Sequence, residues 1–238
     1  MPRYTPPGSD SDRLSTLKTV LETTADGNDL AAFILPATRA KIVEFVPGYE
    51  TGIQAVDTES AGRAKEVSEK DKALDFLKDN VRDFFEVLRR RTNRLEHNVS
   101  VLVHYNLPQS GDNPPLGAED EFVKAAENIV AGEPNAVGAG FPAMANPAAA
   151  DVATALAAFN TERGDVAPAD EKVRKAEGEV AKLRPEADKL IRKAKRGVEF
   201  LMDDESAPSQ RRVLRRMGYK FAPLPGETPE PEESEPES

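Results

Sequence analysis

The chain has 238 residues, a formal net charge of −10 and no cysteine. Without thiols it cannot form disulfides, thiolate nucleophiles or cysteine-ligated metal sites. The sequence has no run of 18 apolar residues and no signal-peptide pattern, so we expect a cytoplasmic protein that does not span a membrane.

Much of the negative charge lies at the end of the sequence. Residues 227–238 hold six glutamates and no lysine or arginine. The rest of the chain is therefore mixed in charge, and its net charge does not indicate a polyanionic partner. A segment rich in proline and glutamate cannot bury enough apolar surface to fold, so 226–238 is predicted to be a disordered acidic tail.

Short elements are predicted at the start of the chain. Residues 1–12 are polar and proline-rich and are predicted to be disordered. Helical spacing then predicts a short amphipathic helix carrying Leu14, Leu17 and Leu21. A second helix is expected after Asp29, with a kink or break at Pro36, and the helical pattern resumes as far as Pro47.

The stretch from Val67 to Val99 carries the clearest helical pattern. Its apolar residues are three, four or seven positions apart, as in one stripe along an α-helix: Val67, Leu74, Leu77, Val81, Phe84, Leu88, Leu95 and Val99. A helix this long needs partners of similar length, so we expect the fold to be organised around it.

Similar elements are predicted in the second half. A helix over 119–131 is followed by 132–149, where glycines and prolines predict a long loop. Helical spacing resumes over 148–161. A second long stripe then covers 166–201, with an expected kink at Pro185.

The two long stripes resemble each other. A shift of 103 residues brings their apolar positions into register, so that Leu77 aligns with Val180 and Leu88 with Ile191. This agreement favours a tandem duplication.

We therefore predict an all-α fold, namely an elongated helical bundle built from two related helical-hairpin units, with disordered N- and C-terminal tails. The predicted segments are a disordered lead (1–12), a first helical unit (13–108), a linker (109–117), a second helical unit (118–204), a basic helix with an extension (205–225) and the acidic tail (226–238).

Basic side chains cluster near the ends of the long helices and in the basic helix. If the two units lie side by side, these residues share one end of the bundle: Arg89, Arg90, Arg94, Arg192, Lys193, Lys195, Arg196, Arg211, Arg212, Arg215 and Arg216. One interpretation is that they complement the negative ends of helix dipoles. The other is an anion-binding pole for nucleic acid, an acidic partner or the protein's own tail.

The predicted 132–149 loop is unusually apolar, with Val137, Phe141 and Met144. Loops of this length without structure are commonly either functional or disordered. Both interpretations stay open, and the functional one is that the segment docks on another subunit.

The sequence contains no recognisable catalytic constellation. His97 and His104 would leave most of a metal's coordination shell open, so we expect no metal and no cofactor. A phosphate loop and a nucleophile elbow are also missing, so we expect no enzymatic activity.

The favoured function is a structural or interaction protein that binds copies of itself through helical faces and the 132–149 loop. The alternative is an anion or nucleic-acid binding module that uses the basic pole, masked by the acidic tail.

Overall fold

The computed structural model describes residues 3–94, 98–112 and 114–222. Within these residues the chain is mostly helical, which confirms the predicted class. The helices are α1 (Asp10–Thr23), α2 (Pro36–Asn93), α3 (Val101–His104), α4 (Glu119–Gly138), α5 (Ala149–Leu201) and α6 (Ala207–Arg216), with a 3₁₀ helix at Ala31–Phe33. Two short strands, β1 (Arg3–Thr5) and β2 (Lys220–Ala222), pair antiparallel.

The two longest helices continue through prolines. Helix α2 begins at Pro36, where a kink or break was predicted, since proline suits the first helical position. The helical pattern was predicted to extend only as far as Pro47, but α2 continues beyond it. Val46 and Tyr49 are both buried in one core, and this packing holds the two turns in line although Pro47 donates no hydrogen bond. The predicted helices 148–161 and 166–201 also form a single helix, α5.

The predicted 132–149 loop is wrong over its first part. Helix α4 continues through Pro134 to Gly138, so the connection to α5 covers only 139–148. Ala136, beyond the proline, is buried, and its packing extends the helix by one turn.

The disorder predicted for residues 1–12 is also corrected over the described residues 3–12. Arg3 pairs with Ala222 in the strand ladder, a contact between residues that are far apart in the sequence. Helix α1 begins at Asp10, where the hydroxyl of Ser9 accepts a hydrogen bond from the backbone N–H of Asp12 at 3.0 Å.

Several predictions fall outside the described residues. They concern the end of the extension at 223–225, the acidic tail at 226–238, and the side chains of Leu95 and His97.

The described residues form two compact units. Unit 1 contains 3–58 and 174–222, and unit 2 contains 59–173. Each unit takes one part of α2 and one part of α5, whereas the predicted units were consecutive in sequence. An apolar stripe shows which face of a helix is buried but not which helix covers it.

In unit 1, the first part of α2 runs antiparallel to the last part of α5. Leu35, just before α2, lies against Gly197, whereas Gly52 lies against Val180. Helices α1 and α6 complete a core that includes Leu17, Val20, Ile42, Tyr49, Leu190, Val198 and Met217.

In unit 2, the last part of α2 runs antiparallel to the first part of α5. Arg63 forms an ion pair with Asp170, and Arg91 donates a hydrogen bond to the carbonyl of Ala143, close to the start of α5. Helices α3 and α4 complete a core that includes Leu77, Phe84, Leu88, Phe122, Ile129, Val152 and Phe159.

Candidate interaction surfaces

The predicted basic pole is divided between the two units. Arg89, Arg90 and Arg94 belong to unit 2, and the other eight predicted residues belong to unit 1. In unit 2, Arg90 forms an ion pair with Glu86 one turn earlier on α2. One shared cluster would require the two long helices to run parallel. In each unit, however, the packed parts of α2 and α5 run antiparallel.

Several cations of unit 1 have structural roles. Arg216 donates hydrogen bonds of 2.8 and 3.0 Å to the two carboxylate oxygens of Asp29. This bidentate contact lowers the pKa of the Asp29 carboxyl below its usual range. Lys195 forms an ion pair with Glu199, and its ammonium lies 5.5 Å from the ring centre of Tyr4.

Some of the arginines of α6 make contacts within unit 1. The guanidinium of Arg215 lies 5.9 Å from the ring centre of Phe221, next to the strand pair. The Nε of Arg211 is buried and has no hydrogen-bond partner among the described residues. Arg212, by contrast, is exposed and forms no ion pair within the described chain.

An exposed apolar surface lies at the end of α5 in unit 1. Phe200 is 74% exposed, and Leu201 and Leu35 are also exposed. Leu35 lies against Gly197, and Phe200 and Leu201 follow three and four residues after this glycine, so the three side chains border one face of the helix. We call Leu35, Phe200 and Leu201 the Phe200 surface.

Charged residues flank the Phe200 surface on α5. Arg196 lies four residues before Phe200, and Asp204 lies four residues after it, in the turn that follows the helix. Both are exposed, and neither forms an ion pair with a described residue.

Phe200 was not among the site residues predicted from the sequence. Leu201 was predicted to end the buried stripe, whereas the structure exposes it together with Phe200. An aromatic residue beside the end of a stripe was the signal that could have identified this surface.

The three residues predicted as an interface in 132–149 are in different environments. Val137 is 46% exposed on α4, whereas Phe141 is half-buried, with its ring centre 5.9 Å from that of His104. Met144 is 4% exposed, and its backbone N–H donates to Glu133 at 2.7 Å. Met144 therefore belongs to the core of unit 2 and is not available to a partner.

Three carboxylates also approach one another in unit 2. The oxygens of Glu66, Glu162 and Asp165 lie within 4.8 Å of one another. These groups are partly or fully exposed, and carboxylates commonly gather on strongly charged helices, so we assign no metal site to them.

Comparisons with known proteins found no match to this chain. No protein-family model, curated protein or solved structure matches the chain. Among the described helices, none combines the length and apolar character that a membrane crossing requires.

Proposed function

We propose that the protein is a non-enzymatic structural or interaction protein that binds copies of itself through exposed helical faces. The observation that supports this proposal is the Phe200 surface. Single exposed apolar residues are common on soluble proteins, but here an aromatic ring and two leucine side chains border one face of a helix. Covering them in a protein–protein contact removes apolar area from water, which favours association.

The proposed self-association also involves the end of α4 and the 139–148 connection. Val137 is the exposed member of the predicted interface, and Val99 and Val103 are also exposed in unit 2. Deleting the whole segment would remove the buried Met144 and damage the core, so a substitution at Val137 is the cleaner probe. A cytoplasmic location also stays part of the proposal.

Light scattering after size-exclusion chromatography tests self-association. We expect the mass of the full chain to rise with concentration, and Phe200→Ser to abolish the rise. The matched control is Phe76→Ser, since Phe76 is 55% exposed on α2 but lies outside the Phe200 surface. A monomeric mass at every concentration, or an equal loss in both variants, contradicts the proposal.

We also propose that the chain arose by duplication of a helical-hairpin unit. The order of short helix, long helix and shorter or terminal helix occurs twice, as α1–α2–α3 and α4–α5–α6. The shift of 103 residues aligns three buried residues of α2 with three buried residues of α5: Leu77 with Val180, Phe84 with Ala187, and Leu88 with Ile191. An experimental structure in which the two halves do not superpose would contradict this proposal.

Anion binding is the second candidate function. Helix α6 contains four arginines and no acidic residue, and Arg212 is exposed without an ion pair in the described chain. Such a helix attracts nucleic acid or an acidic protein, and the six glutamates of 227–238 follow it closely enough in the sequence to compete.

A further inference from the structure

We propose that two copies of the chain pair through the Phe200 surface about a two-fold axis beside Phe200, with the ends of their α5 helices antiparallel. This inference rests on the proposed self-association and adds the arrangement of the two copies. It is supported by the order of charges around the apolar surface.

The charges change sign from one side of Phe200 to the other. Arg196 precedes it by four residues, and a spacing of four keeps two side chains on the same face of a helix. After Phe200 the chain keeps turning, since the N–H of Met202 donates to the carbonyl of Val198 at 3.0 Å and that of Glu205 donates to Met202 at 2.9 Å. Asp204 therefore lies within one turn of Phe200, on its other side.

Neighbouring residues extend this pattern. The exposed Lys193 adds positive charge on the side of Arg196, and the exposed Asp203 and Glu205 add negative charge on the side of Asp204. The surface is thus positive at one end, apolar in the middle and negative at the other end.

Such a surface is complementary to itself under two-fold rotation. In an isologous contact, a residue a given distance before the axis faces the residue the same distance after it in the other copy. With the axis beside Phe200, the two phenyl rings meet. Arg196 of each copy then faces Asp204 of the other, so the contact gains two equivalent ion pairs.

A parallel arrangement lacks this complementarity. It would place Arg196 against Arg196 and Asp204 against Asp204, and like charges across an interface are unfavourable. The charges therefore select the antiparallel orientation. The apolar side chains supply most of the affinity, because exposed ion pairs contribute little.

Disulfide formation between engineered cysteines tests the arrangement in the full chain, which has no native cysteine. Under mild oxidation, a mixture of the Arg196→Cys and Asp204→Cys variants should give a covalent dimer. Each variant alone should stay uncoupled, because its own cysteine faces a charged residue of the other copy. A disulfide within Arg196→Cys alone indicates a parallel pair and overturns the inference.

A charge exchange provides an independent measurement. Arg196→Asp alone should weaken the dimer by up to about 25-fold, since it breaks two pairs that are each worth about fivefold at most. The double variant Arg196→Asp with Asp204→Arg should recover the dissociation constant of the unmodified chain. Failure of the double variant to recover overturns the inference, provided that its circular dichroism matches that of the unmodified chain.

The two proposals fail in different ways. If the unmodified chain is monomeric at all concentrations, self-association and the arrangement are both wrong. If the chain forms a dimer that Phe200→Ser abolishes, but the mixed cysteine variants do not couple, only the two-fold arrangement is wrong.

Discussion

Gly132 of α4 lies directly against the backbone carbonyl of His104, the last residue of α3. A methyl group on residue 132 would overlap the carbonyl oxygen and lie 2.9 Å from Cδ1 of Tyr105. The two helices would have to separate, so Gly132→Ala should lower the free energy of unfolding by about 1–3 kcal/mol in urea titrations.

The control for this substitution is Gly164→Ala. Gly164 lies inside α5 in the same unit, and a methyl group there meets no neighbouring atom. Alanine is the better helix former, so this variant should gain about 0.5–1 kcal/mol. A loss of similar size in both variants would show that contact with α3 is not the cause.

Truncating one buried leucine in each unit should test the two cores separately. Leu88 and Leu190 are both fully buried, one in unit 2 and the other in unit 1. Replacing either by alanine should cost about 2–5 kcal/mol in the free energy of unfolding. Phe76→Ala, at an exposed position, should cost much less, and near-neutral results at both leucines would contradict the assignment of these helices to cores.

Acid should weaken unit 1 through Asp10. Its carboxylate accepts hydrogen bonds from Arg184, the nearest at 2.8 Å, and from the hydroxyl of Tyr49, also at 2.8 Å. The contact with Arg184, the main cause, lowers the pKa of Asp10 in the folded protein. A carboxyl with a lowered folded pKa stabilises the fold above its unfolded pKa, and this stabilisation is lost as the pH falls through the folded value.

The variant Asp10→Asn should therefore be less stable than the unmodified chain at pH 7, with a difference that shrinks below about pH 4. Urea titrations at several pH values measure this difference. Asp26→Asn, at an exposed carboxylate without an ion pair in the described chain, should change stability little at any pH. A constant difference for Asp10→Asn would contradict the role of its ionised form.

Removal of 227–238 should increase binding to polyanions. Under the anion-binding proposal, the six glutamates of this segment, which follow α6 closely in the sequence, compete with an outside anion for the same arginines. The shortened chain should bind heparin or duplex DNA at low salt and release it as salt rises. In the shortened chain Arg212→Glu should reduce this binding, and it is preferable to changes at Arg216, which pairs with Asp29.

If the shortened chain does not bind either polyanion at low salt, the anion-binding function is wrong. The arginines of α6 then serve the contacts inside unit 1 and the helix dipole. This outcome would leave the self-association proposal unaffected, because the Phe200 surface does not include α6.

Helical periodicity predicted the class of the fold and most of the buried residues on the long helices. Leu77, Phe84 and Leu88 were placed correctly on the core face of α2, as was Leu190 on α5. This success follows from a local property, since a repeat of three and four positions identifies a buried face without knowledge of its partner.

The errors concern effects that depend on distant residues. Pro47 and Pro134 do not end their helices, because packing of the adjacent turns overrides the local preference of proline. The pairing of Arg3 with Ala222 depends on a contact across almost the entire sequence. Phe200 was missed because an outward-facing residue has no partner in the pattern that identified the stripe.

The discontinuous composition of unit 1 affects the order in which the protein can fold during synthesis. Unit 2 occupies the continuous segment 59–173, so all of its core residues have been made once residue 173 has left the ribosome. Unit 1 needs 174–222, including β2, before α1 and the first part of α2 can be covered. Until then Leu17, Ile42 and Tyr49 lack the α5 side chains that bury them, so the nascent chain exposes apolar surface that the completed unit covers.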